Sequence, residues 1–374
     1  MKKIYFVFLS ILLINVSAFA KYTTPGTGVK WSLDNLVTNS GGAVTFSDSY
    51  YINDTIIVSP TDTISILVDA TVKFAANTYF GVNGTIIVNP PSAVLFTAQN
   101  IATGYNGIRV DANNGSIFRK LTFEYAVSMR LSDCNPLIEN CIFRYNNNSA
   151  STSFGNGALA LFRSNPTINN SQFIQNQRAA IQGGSNINNA PKIYGCLFDR
   201  NNTVNANVPQ INLGTSGTDT VRIFNSQILG GNTNSGGIGF LPIGNVYAII
   251  NGNIIRKNRY GLTFNGGSNI NVIVSYNTVD SNNIQNDPNL GGSGIAFTGG
   301  SATSQQNSIV TGNIFRANLW GITIYPGNIG TEKFIVFDSM INIRPQQNNR
   351  SLSVESIEIQ NKIRKIVHTL VRPI

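Results

Sequence analysis

Apolar residues along the chain recur at every second position in short runs, as in Leu262-Thr263-Phe264 and Ile322-Thr323-Ile324. An alternation with a period of two places one set of side chains on the same face of a β-strand. A helical solenoid would instead repeat its apolar positions every three to four residues and would contain few glycines, whereas this chain has 35. The pattern therefore predicts an all-β protein made of many short strands.

These strand segments belong to an internal repeat. The segments Asn135 to Asn146 and Asn165 to Asn176 carry proline, isoleucine, phenylalanine and asparagine at matching positions, and the alignment extends over eight repeats. Two positions, five residues apart, are large and apolar in every repeat. The first holds Phe118, Ile138, Ile168, Ile193, Ile223, Ile250, Val274 and Val310, and the second holds Phe123, Phe143, Phe173, Phe198, Ile228, Ile255, Val279 and Phe315.

A single repeat of this kind cannot bury its own apolar face, but stacked repeats enclose a continuous core between parallel strands. We therefore predict eight registered coils between Phe118 and Phe315, within a β-domain that spans residues 21–330. The N-terminal third has less regular strand-like segments, such as Thr63-Ile64-Ser65-Ile66. Residues Val29 to Thr38 are expected to form a short helix that caps the first coil.

Asparagine recurs three residues after the second apolar column, in six of the eight repeats. These residues are Asn146, Asn176, Asn201, Asn258, Asn282 and Asn318. Asparagine tolerates the left-handed backbone conformation of a tight corner, and stacked amides can form hydrogen bonds from coil to coil. We interpret this column as a structural ladder.

The repeat unit Asn-Pro-x-Ile-x-Asn-(Cys/Ser)-x-Phe-x-x-Asn, followed by Gly and an aliphatic residue, resembles the repeat of the pectate-lyase-like superfamily. The segment from Trp31 to Ile56 is similar to the start of exported β-helix proteins of the Bacteroidetes. The resemblance implies a right-handed parallel β-helix of three-strand coils with a short N-terminal helical cap. It does not select a function, because this fold hosts lyases, hydrolases, esterases and adhesins.

The N-terminus has the features of a secretory signal peptide. Lys2 and Lys3 precede a short apolar run, and Ala18-Phe19-Ala20 matches a small-residue cleavage site. We expect residues 1–20 to be removed during export and the protein to be extracellular or attached to the bacterial surface, with outer-membrane association as one form. No later segment is apolar enough to predict a membrane span.

The formal net charge of +9 is spread over three regions. The signal region contributes two basic residues, residues 331–374 contain seven basic and four acidic residues, and residues 21–330 contain 17 basic and 13 acidic residues. No basic block occurs in the repeats. Because nucleic-acid binding requires a cluster of phosphate-neutralising residues, we expect no nucleic-acid partner.

Groups that could support catalysis are sparse. Glycoside hydrolysis needs two nearby carboxylates, but the acidic residues are scattered among the repeats. The single histidine, His368, and the three cysteines, Cys134, Cys141 and Cys196, predict neither a metal centre nor a disulfide framework. No cofactor is expected, and the catalytic residues of any activity stay unassigned.

The connections that follow the asparagine column vary in length, and insertions in a solenoid often mark its binding side. Three aromatic residues near this edge could stack on sugar rings: Tyr145, Phe154 and Trp320. Corner packing is the alternative interpretation of all three. Arg256, Lys257 and Arg259 could bind an acidic glycan or could simply form a solvated outer face.

From Thr331 onward the repeat is no longer recognisable. Residues 331–374 are expected to form an irregular tail or cap, in which Ser356 to Val371 could form an amphipathic helix. Arg344-Pro345 is similar to an arginine-proline pair near the catalytic base of pectate lyases, but it lies outside the repeats.

These features favour a secreted or cell-surface β-helix that binds carbohydrate, such as a polysaccharide or surface glycan, or serves a structural role without catalysis. The alternative is a polysaccharide lyase or glycoside hydrolase whose site is assembled from the loops. The sequence makes no prediction about oligomeric state.

Overall fold

The structure, a computed structural model, describes residues 21–111, 115–146, 155–287, 290–298, 304–324, 329–337 and 343–345. Three sheets of 13, 12 and 12 strands run the length of the described chain, and nearly all neighbouring strands are parallel. The exception is an antiparallel pair near the N-terminus. The predicted fold class, a parallel β-helix of three-strand coils with one short N-terminal helix, is confirmed.

The described ranges contain 37 strands and the helix α1 (Leu33–Asn39). The strands that precede residue 140 are β1 (Tyr22–Thr23), β2 (Lys30–Trp31), β3 (Val44–Phe46), β4 (Tyr50–Ile52), β5 (Ile56–Val58), β6 (Thr63–Ile66), β7 (Ala70–Phe74), β8 (Tyr79–Val82), β9 (Thr85–Val88), β10 (Val94–Ala98), β11 (Tyr105–Asp111), β12 (Ile117–Arg119), β13 (Leu121–Glu124), β14 (Ala126–Ser132) and β15 (Leu137–Glu139). The strands of the middle coils are β16 (Ile142–Arg144), β17 (Gly157–Phe162), β18 (Thr167–Asn169), β19 (Gln172–Ile174), β20 (Ala179–Gly183), β21 (Lys192–Tyr194), β22 (Leu197–Asp199), β23 (Ile211–Leu213), β24 (Thr220–Phe224), β25 (Gln227–Leu229) and β26 (Ile238–Phe240). The remaining strands are β27 (Val246–Asn251), β28 (Ile254–Arg256), β29 (Leu262–Asn265), β30 (Asn269–Ser275), β31 (Thr278–Asp280), β32 (Ser293–Thr298), β33 (Ser304–Thr311), β34 (Ile314–Arg316), β35 (Trp320–Ile324), β36 (Ile329–Phe337) and β37 (Ile343–Pro345).

We call the three sheets A, B and C. Sheet A contains β1 and β37 at its two ends, sheet B contains β2 and β36, and sheet C contains β3 and β34. From β6 to β35 the chain visits sheets B, C and A in turn, which makes ten consecutive coils. Each coil therefore has a B–C corner, a C–A corner and an A–B corner.

The two predicted apolar columns are the inward faces of sheets B and C. In sheet B, Phe118 pairs with Ile138, and the register continues to Val310. In sheet C, Phe123 pairs with Phe143, and the register continues to Phe315. The rings of Phe143, Phe173 and Phe198 stack in the core with centroids 4.8 and 5.0 Å apart.

The predicted asparagine column lies just inside the C–A corner. The side-chain amide of Asn146 donates to Oδ1 of Asn176 at 3.1 Å, and that of Asn176 donates to Oδ1 of Asn201 at 2.7 Å. Each of these amides also donates to a backbone carbonyl of the preceding coil, as Asn176 does to Phe143. The left-handed residue of the corner is not the asparagine but the residue before it, as at Tyr145 with φ of 57°.

Two of the eight repeats lack the corner asparagine: Ala126 stands before the first ladder residue, and Gly231 would interrupt the ladder. Gln210, from the connection that follows Asn201 in the preceding coil, fills the gap at Gly231. Its Oε1 accepts from the amide of Asn201 at 2.9 Å, and its Nε2 donates to Oδ1 of Asn258 at 3.0 Å. The ladder therefore runs without interruption from Asn146 to Asn318.

A second ladder follows the B–C corner. The amide of Asn253 donates to Asn277, and the amide of Asn277 donates to Asn313, both at 2.9 Å. In earlier coils the same position holds serine or cysteine, and the backbone N–H of Cys196 donates to the Ser226 hydroxyl at 3.0 Å. The side chains of this column are small and buried, so they satisfy backbone groups where the chain turns.

Helix α1 covers the N-terminal end and begins at Leu33, shortly after β2 ends at Trp31. Ser32 and Asn35 form a capping box, and Leu33 and Leu36 are buried against the core. The capping helix is therefore shorter than the predicted range Val29 to Thr38.

The predicted domain boundary at residue 330 falls inside β36, which adds a strand to sheet B, and β37 adds one to sheet A. The segment Arg344-Pro345 thus belongs to a strand of the stack. The predicted signal peptide, residues 1–20, and the predicted helix from Ser356 to Val371 lie outside the described residues.

We expect Asn176→Ala to destabilise the protein by about 2–4 kcal/mol, because several buried ladder groups lose their hydrogen-bond partner. Denaturation in urea, followed by circular dichroism, measures this change. Gln172→Ala, an exposed position on the same coil, is the control and should change the free energy of unfolding by less than about 0.5 kcal/mol. An equal effect of both substitutions would argue against the ladder.

A second prediction concerns the carboxylate of Asp62, which accepts from the backbone N–H groups of Gly26, Gly28 and Val29 at 2.9 to 3.0 Å. Burial raises the pKa of Asp62, but hydrogen bonds from the Thr24 hydroxyl and from these N–H groups outweigh it and lower the pKa to about 2. A carboxyl whose pKa is lowered by folding stabilises the fold above its unfolded pKa of about 3.9, and this contribution is lost as the pH falls through the folded value.

The free energy of unfolding of the native protein should therefore decrease as the pH is lowered from about 4 to about 2. Asp62→Asn should be less stable at neutral pH by about 2 kcal/mol, because it loses charge-assisted hydrogen bonds, and it should show a weaker decline over this interval. Asp54→Asn serves as a matched control in the same region. Parallel pH profiles for native and Asp62→Asn proteins would contradict the assignment.

Candidate functional site

The outward side of the C–A corner is formed by the left-handed corner residues. These are Tyr125, Tyr145, Gln175, Arg200, Lys257, Ser281 and Ala317. The residue after each corner residue lies inside the stack, as Asn146 does, whereas the corner residue itself is partly or fully exposed. The corner residues therefore form a row along the solenoid. Their side chains can differ from coil to coil without changing the asparagine ladder.

A cleft of about 360 Å³ opens at the N-terminal half of this row. Its lining consists of Ile101, Tyr125, Tyr145, Gln175, Gln177 and Thr203. The rings of Tyr125 and Tyr145 are stacked, with centroids 5.6 Å apart and planes inclined by 27°. The cleft thus combines two aromatic rings with neutral amide and hydroxyl groups.

An ion pair between the partly exposed Arg144 and the buried Glu124 lies next to this aromatic pair on sheet C. Glu124, which is only 7% exposed, accepts from the Thr97 hydroxyl and from Nε of Arg144, the latter at 2.6 Å. The Arg144 guanidinium also lies 5.7 Å from the ring centre of Tyr145. Burial, with Glu124 and Tyr145 nearby, raises the pKa of Tyr125, so its phenol is neutral and can donate a hydrogen bond at physiological pH.

Two of the three predicted aromatic residues, Tyr145 and Trp320, lie far apart along the solenoid. Tyr145 lines the cleft, whereas Phe154 lies outside the described residues. Trp320 begins β35, six coils further along the solenoid, which is roughly 29 Å at one strand spacing per coil. The structure therefore places Tyr145 beside Tyr125, a residue that the sequence reasoning did not select.

The predicted basic residues also separate. Arg256 is exposed on the outer face of sheet C, and Lys257 is the left-handed corner residue after it. Arg259 instead holds two loops together, because its Nε donates to the carbonyl of Leu290 at 2.7 Å and its Nη1 to Oδ1 of Asn207 at 2.5 Å. Arg259 is thus engaged in loop structure, whereas Arg256 and Lys257 are exposed.

The longer connections of this side bind one another. Asn205 accepts from the backbone N–H of Asn234 at 2.7 Å, and the amide of Gln285 donates to Oδ1 of Asn234 at 3.1 Å. Three successive insertions are thereby joined across coils. They form a wall beside the corner row rather than independent loops.

The three cysteines are free thiols within the stack. All are buried, and burial raises the pKa to about 11 for Cys134 and Cys196 and to about 12 for Cys141. Thiols with such pKa values are poor nucleophiles at physiological pH.

The outward carboxylates of the described residues are largely engaged in ion pairs. These pairs are Asp48–Lys73, Asp111–Arg109, Asp133–Arg163, Asp199–Arg200, Asp219–Lys192, Asp280–Arg316, Glu124–Arg144 and Glu139–Arg119. Asp133 therefore pairs with Arg163 of the next coil rather than with Arg130. Within the ranges that the structure describes, no three His, Cys, Asp or Glu side chains converge in a way that could hold a metal ion.

Sheet A carries a second polar feature on its outer face, which the sequence reasoning missed. Arg109 and Arg130 are paired in register on adjacent strands, and the Arg130 guanidinium lies 4.1 Å from the ring centre of Phe162. Burial and then the neighbouring Arg109 lower the pKa of Arg130. The segments Arg109-Val110-Asp111 and Arg130-Leu131-Ser132 are similar in sequence. Aligning them would have placed Arg109 opposite Arg130.

Comparison with known proteins gives one match. Residues 294–370 match a family model described as a protein of unknown function, DUF5674. This match covers about a fifth of the chain and does not include the cleft. No curated protein and no solved structure matches the chain significantly, and the resemblance to the pectate-lyase-like superfamily stays a prediction.

The described part of the chain also contains no helix that is both long and apolar enough to cross a membrane.

Proposed function

We propose that the protein is an exported, surface-associated β-helix of the pectate-lyase-like type that binds carbohydrate at the Tyr125–Tyr145 cleft without transforming it. The observation that carries the proposal is the stacked tyrosine pair beside Gln175 and Gln177 in an open cleft. Aromatic rings offer an apolar face to the C–H groups of a sugar, while amides and hydroxyls offer hydrogen bonds to its hydroxyl groups.

The shape of the corner row favours an extended ligand. Tyr125, Tyr145, Gln175 and Arg200 follow one another at one residue per coil, so their side chains repeat at about 4.8 Å along the solenoid axis. A polysaccharide chain that lies along this row would meet a similar environment at each coil. A single small molecule would use only part of it.

The absence of catalysis is supported by the state of the carboxylates. Those nearest the cleft are engaged, as Glu124 is with Thr97 and Arg144, and Asp199 is with Arg200. A glycosidase needs one protonated carboxylic acid and one free carboxylate on either side of the scissile bond. Both of these carboxylates are held by an arginine, so neither is free to take one of the two roles.

One observation favours the alternative, a polysaccharide lyase or hydrolase. Arg109 and Arg130 lie side by side on sheet A, and a lyase needs a base together with a group that neutralises a uronate carboxylate. This second site lies on a different face from the corner row, so the two functions can be tested separately.

The proposed location is the cell exterior, on the basis of the residues 1–20 sequence. Fractionation of cells that express the full chain tests this part of the proposal. The mature protein should be found in the medium or at the cell surface and should begin near Lys21, whereas a cytoplasmic, unprocessed chain would contradict it.

We expect Tyr145→Ala to weaken binding to a glycan array or to soluble polysaccharides roughly tenfold, because about 1–1.5 kcal/mol of ring stacking is lost. Calorimetric titration with the best array ligand measures the change. Phe46→Ala, which removes an aromatic ring that is 56% exposed at the N-terminal end, is the matched control and should bind as the native protein does.

Incubation with the same polysaccharides separates the two candidate functions. The binding proposal expects unchanged polymer length and no unsaturated product. Release of unsaturated or reducing ends, abolished by Arg130→Ala but not by Tyr145→Ala, would replace it with the lyase alternative.

A further inference from the structure

An exposed apolar surface lies at the C-terminal end of the solenoid, on sheet B and around the B–C corner. Its members are Ile249, Ile254, Ile273, Tyr276, Ile309 and Ile314, five of which are among the exposed large hydrophobic residues of the described chain. Contiguous apolar patches of this kind usually mark a contact with another element or partner. We call this surface the isoleucine face.

The centre of the isoleucine face is a straight row. Ile249 pairs with Ile273, Ile273 pairs with Ile309, and the next register position is Ile335 of β36. Ile273 and Ile309 are 38% and 37% exposed. The nearby residues Asn271 and Asn307 on the same strands are polar but uncharged. In the preceding coil the row ends at Arg222, which is exposed.

A segment that covers this row must present a narrow stripe of apolar side chains. The C-terminal segment, residues 346–374, has such a stripe in its sequence, with Ile359, Ile363, Ile366, Val367 and Leu370 spaced as on one face of a helix. From Ile359 to Leu370 this stripe would be about 17 Å long at 1.5 Å per residue. The row from Ile249 to the Ile335 position spans three strand spacings, about 14 Å.

The path of the chain brings this segment to the isoleucine face. β37 ends at Pro345 in sheet A, and after sheet A every earlier coil turns to sheet B. Residues 346–358 could span up to roughly 43 Å when extended. The segment can therefore reach any part of the row from the corner at which it leaves the stack.

We propose that residues 356–371 form an amphipathic helix that docks on the isoleucine face and covers the row Ile249–Ile273–Ile309. The proposal goes beyond carbohydrate binding and does not depend on it. The docked helix removes the apolar row from water and leaves Lys365 and His368 on its solvent side.

Limited trypsin digestion of the full chain tests this docking, with the cleavage sites read by mass spectrometry. A docked helix protects the bonds after Lys362, Arg364 and Lys365. Ile309→Glu should increase the cleavage rate at these bonds roughly tenfold, because a charge under the helix releases it. Leu67→Glu, at a residue that is 54% exposed in an early coil, is the matched control and should leave the rate unchanged.

Two variants of the segment make the test reciprocal. Leu370→Glu lies on the apolar stripe and should release the helix, whereas Thr369→Glu lies off it and should not. Thermal denaturation of each variant shows whether the β-helix itself is intact, which separates undocking from unfolding. Equal cleavage of the native and Ile309→Glu proteins overturns the proposal.

A second copy of the chain is the competing occupant of the isoleucine face. It predicts a native dimer by light scattering that becomes monomeric in Ile309→Glu, with unchanged cleavage after Lys362. That result would overturn intramolecular docking, whereas a monomeric native protein with a protected segment supports it.

Discussion

The turning of the chain at its corners is the constraint on which the rest of this structure depends. Strand hydrogen bonds run from coil to coil along the flat sheets, but at each corner the backbone groups turn out of that ladder. Buried N–H and carbonyl groups without partners are costly. Side-chain amides just inside the C–A corner, such as Asn146 and Asn176, accept from a backbone N–H of the preceding coil and donate to a backbone carbonyl of that coil. The corner can then be made by a single left-handed residue.

Gln210 takes the place of a missing asparagine. The ladder therefore requires a side-chain amide at this point in space but not at a fixed position in the sequence. Gly231 leaves a gap, and the side chain of Gln210, from the preceding coil, fills it by accepting from Asn201 and donating to Asn258 and to a backbone carbonyl. Serine and cysteine perform the simpler part of this task at the B–C corner in the earlier coils. A buried group without a partner is therefore satisfied by whichever side chain lies close enough to form the hydrogen bond.

The same arrangement explains where this protein can acquire function. The ladder residue is buried and restricted to amides, while the left-handed residue before it faces solvent and ranges from tyrosine to alanine. The cleft is built from that unrestricted row, and the ion pair between Glu124 and Arg144 supports it from the adjoining sheet. Insertions after the ladder residue, joined through Asn205, Asn234 and Gln285, enclose the same side.

The sequence by itself determined the coils, because large apolar residues at a spacing of five define which positions face the core. The pairing of Phe123 with Phe143 and of Ile138 with Ile168 follows directly from that spacing. Only the tertiary structure decided which outward residues meet, since coil lengths vary and neighbours on a sheet are 20 to 36 residues apart in the chain. The contact of Tyr125 with Tyr145, the pairing of Asp133 with Arg163 and the bridging by Gln210 all depend on that alignment. Most outward positions follow no regular apolar pattern, because water accepts a polar side chain there, so the sequence did not indicate which outward neighbours form contacts.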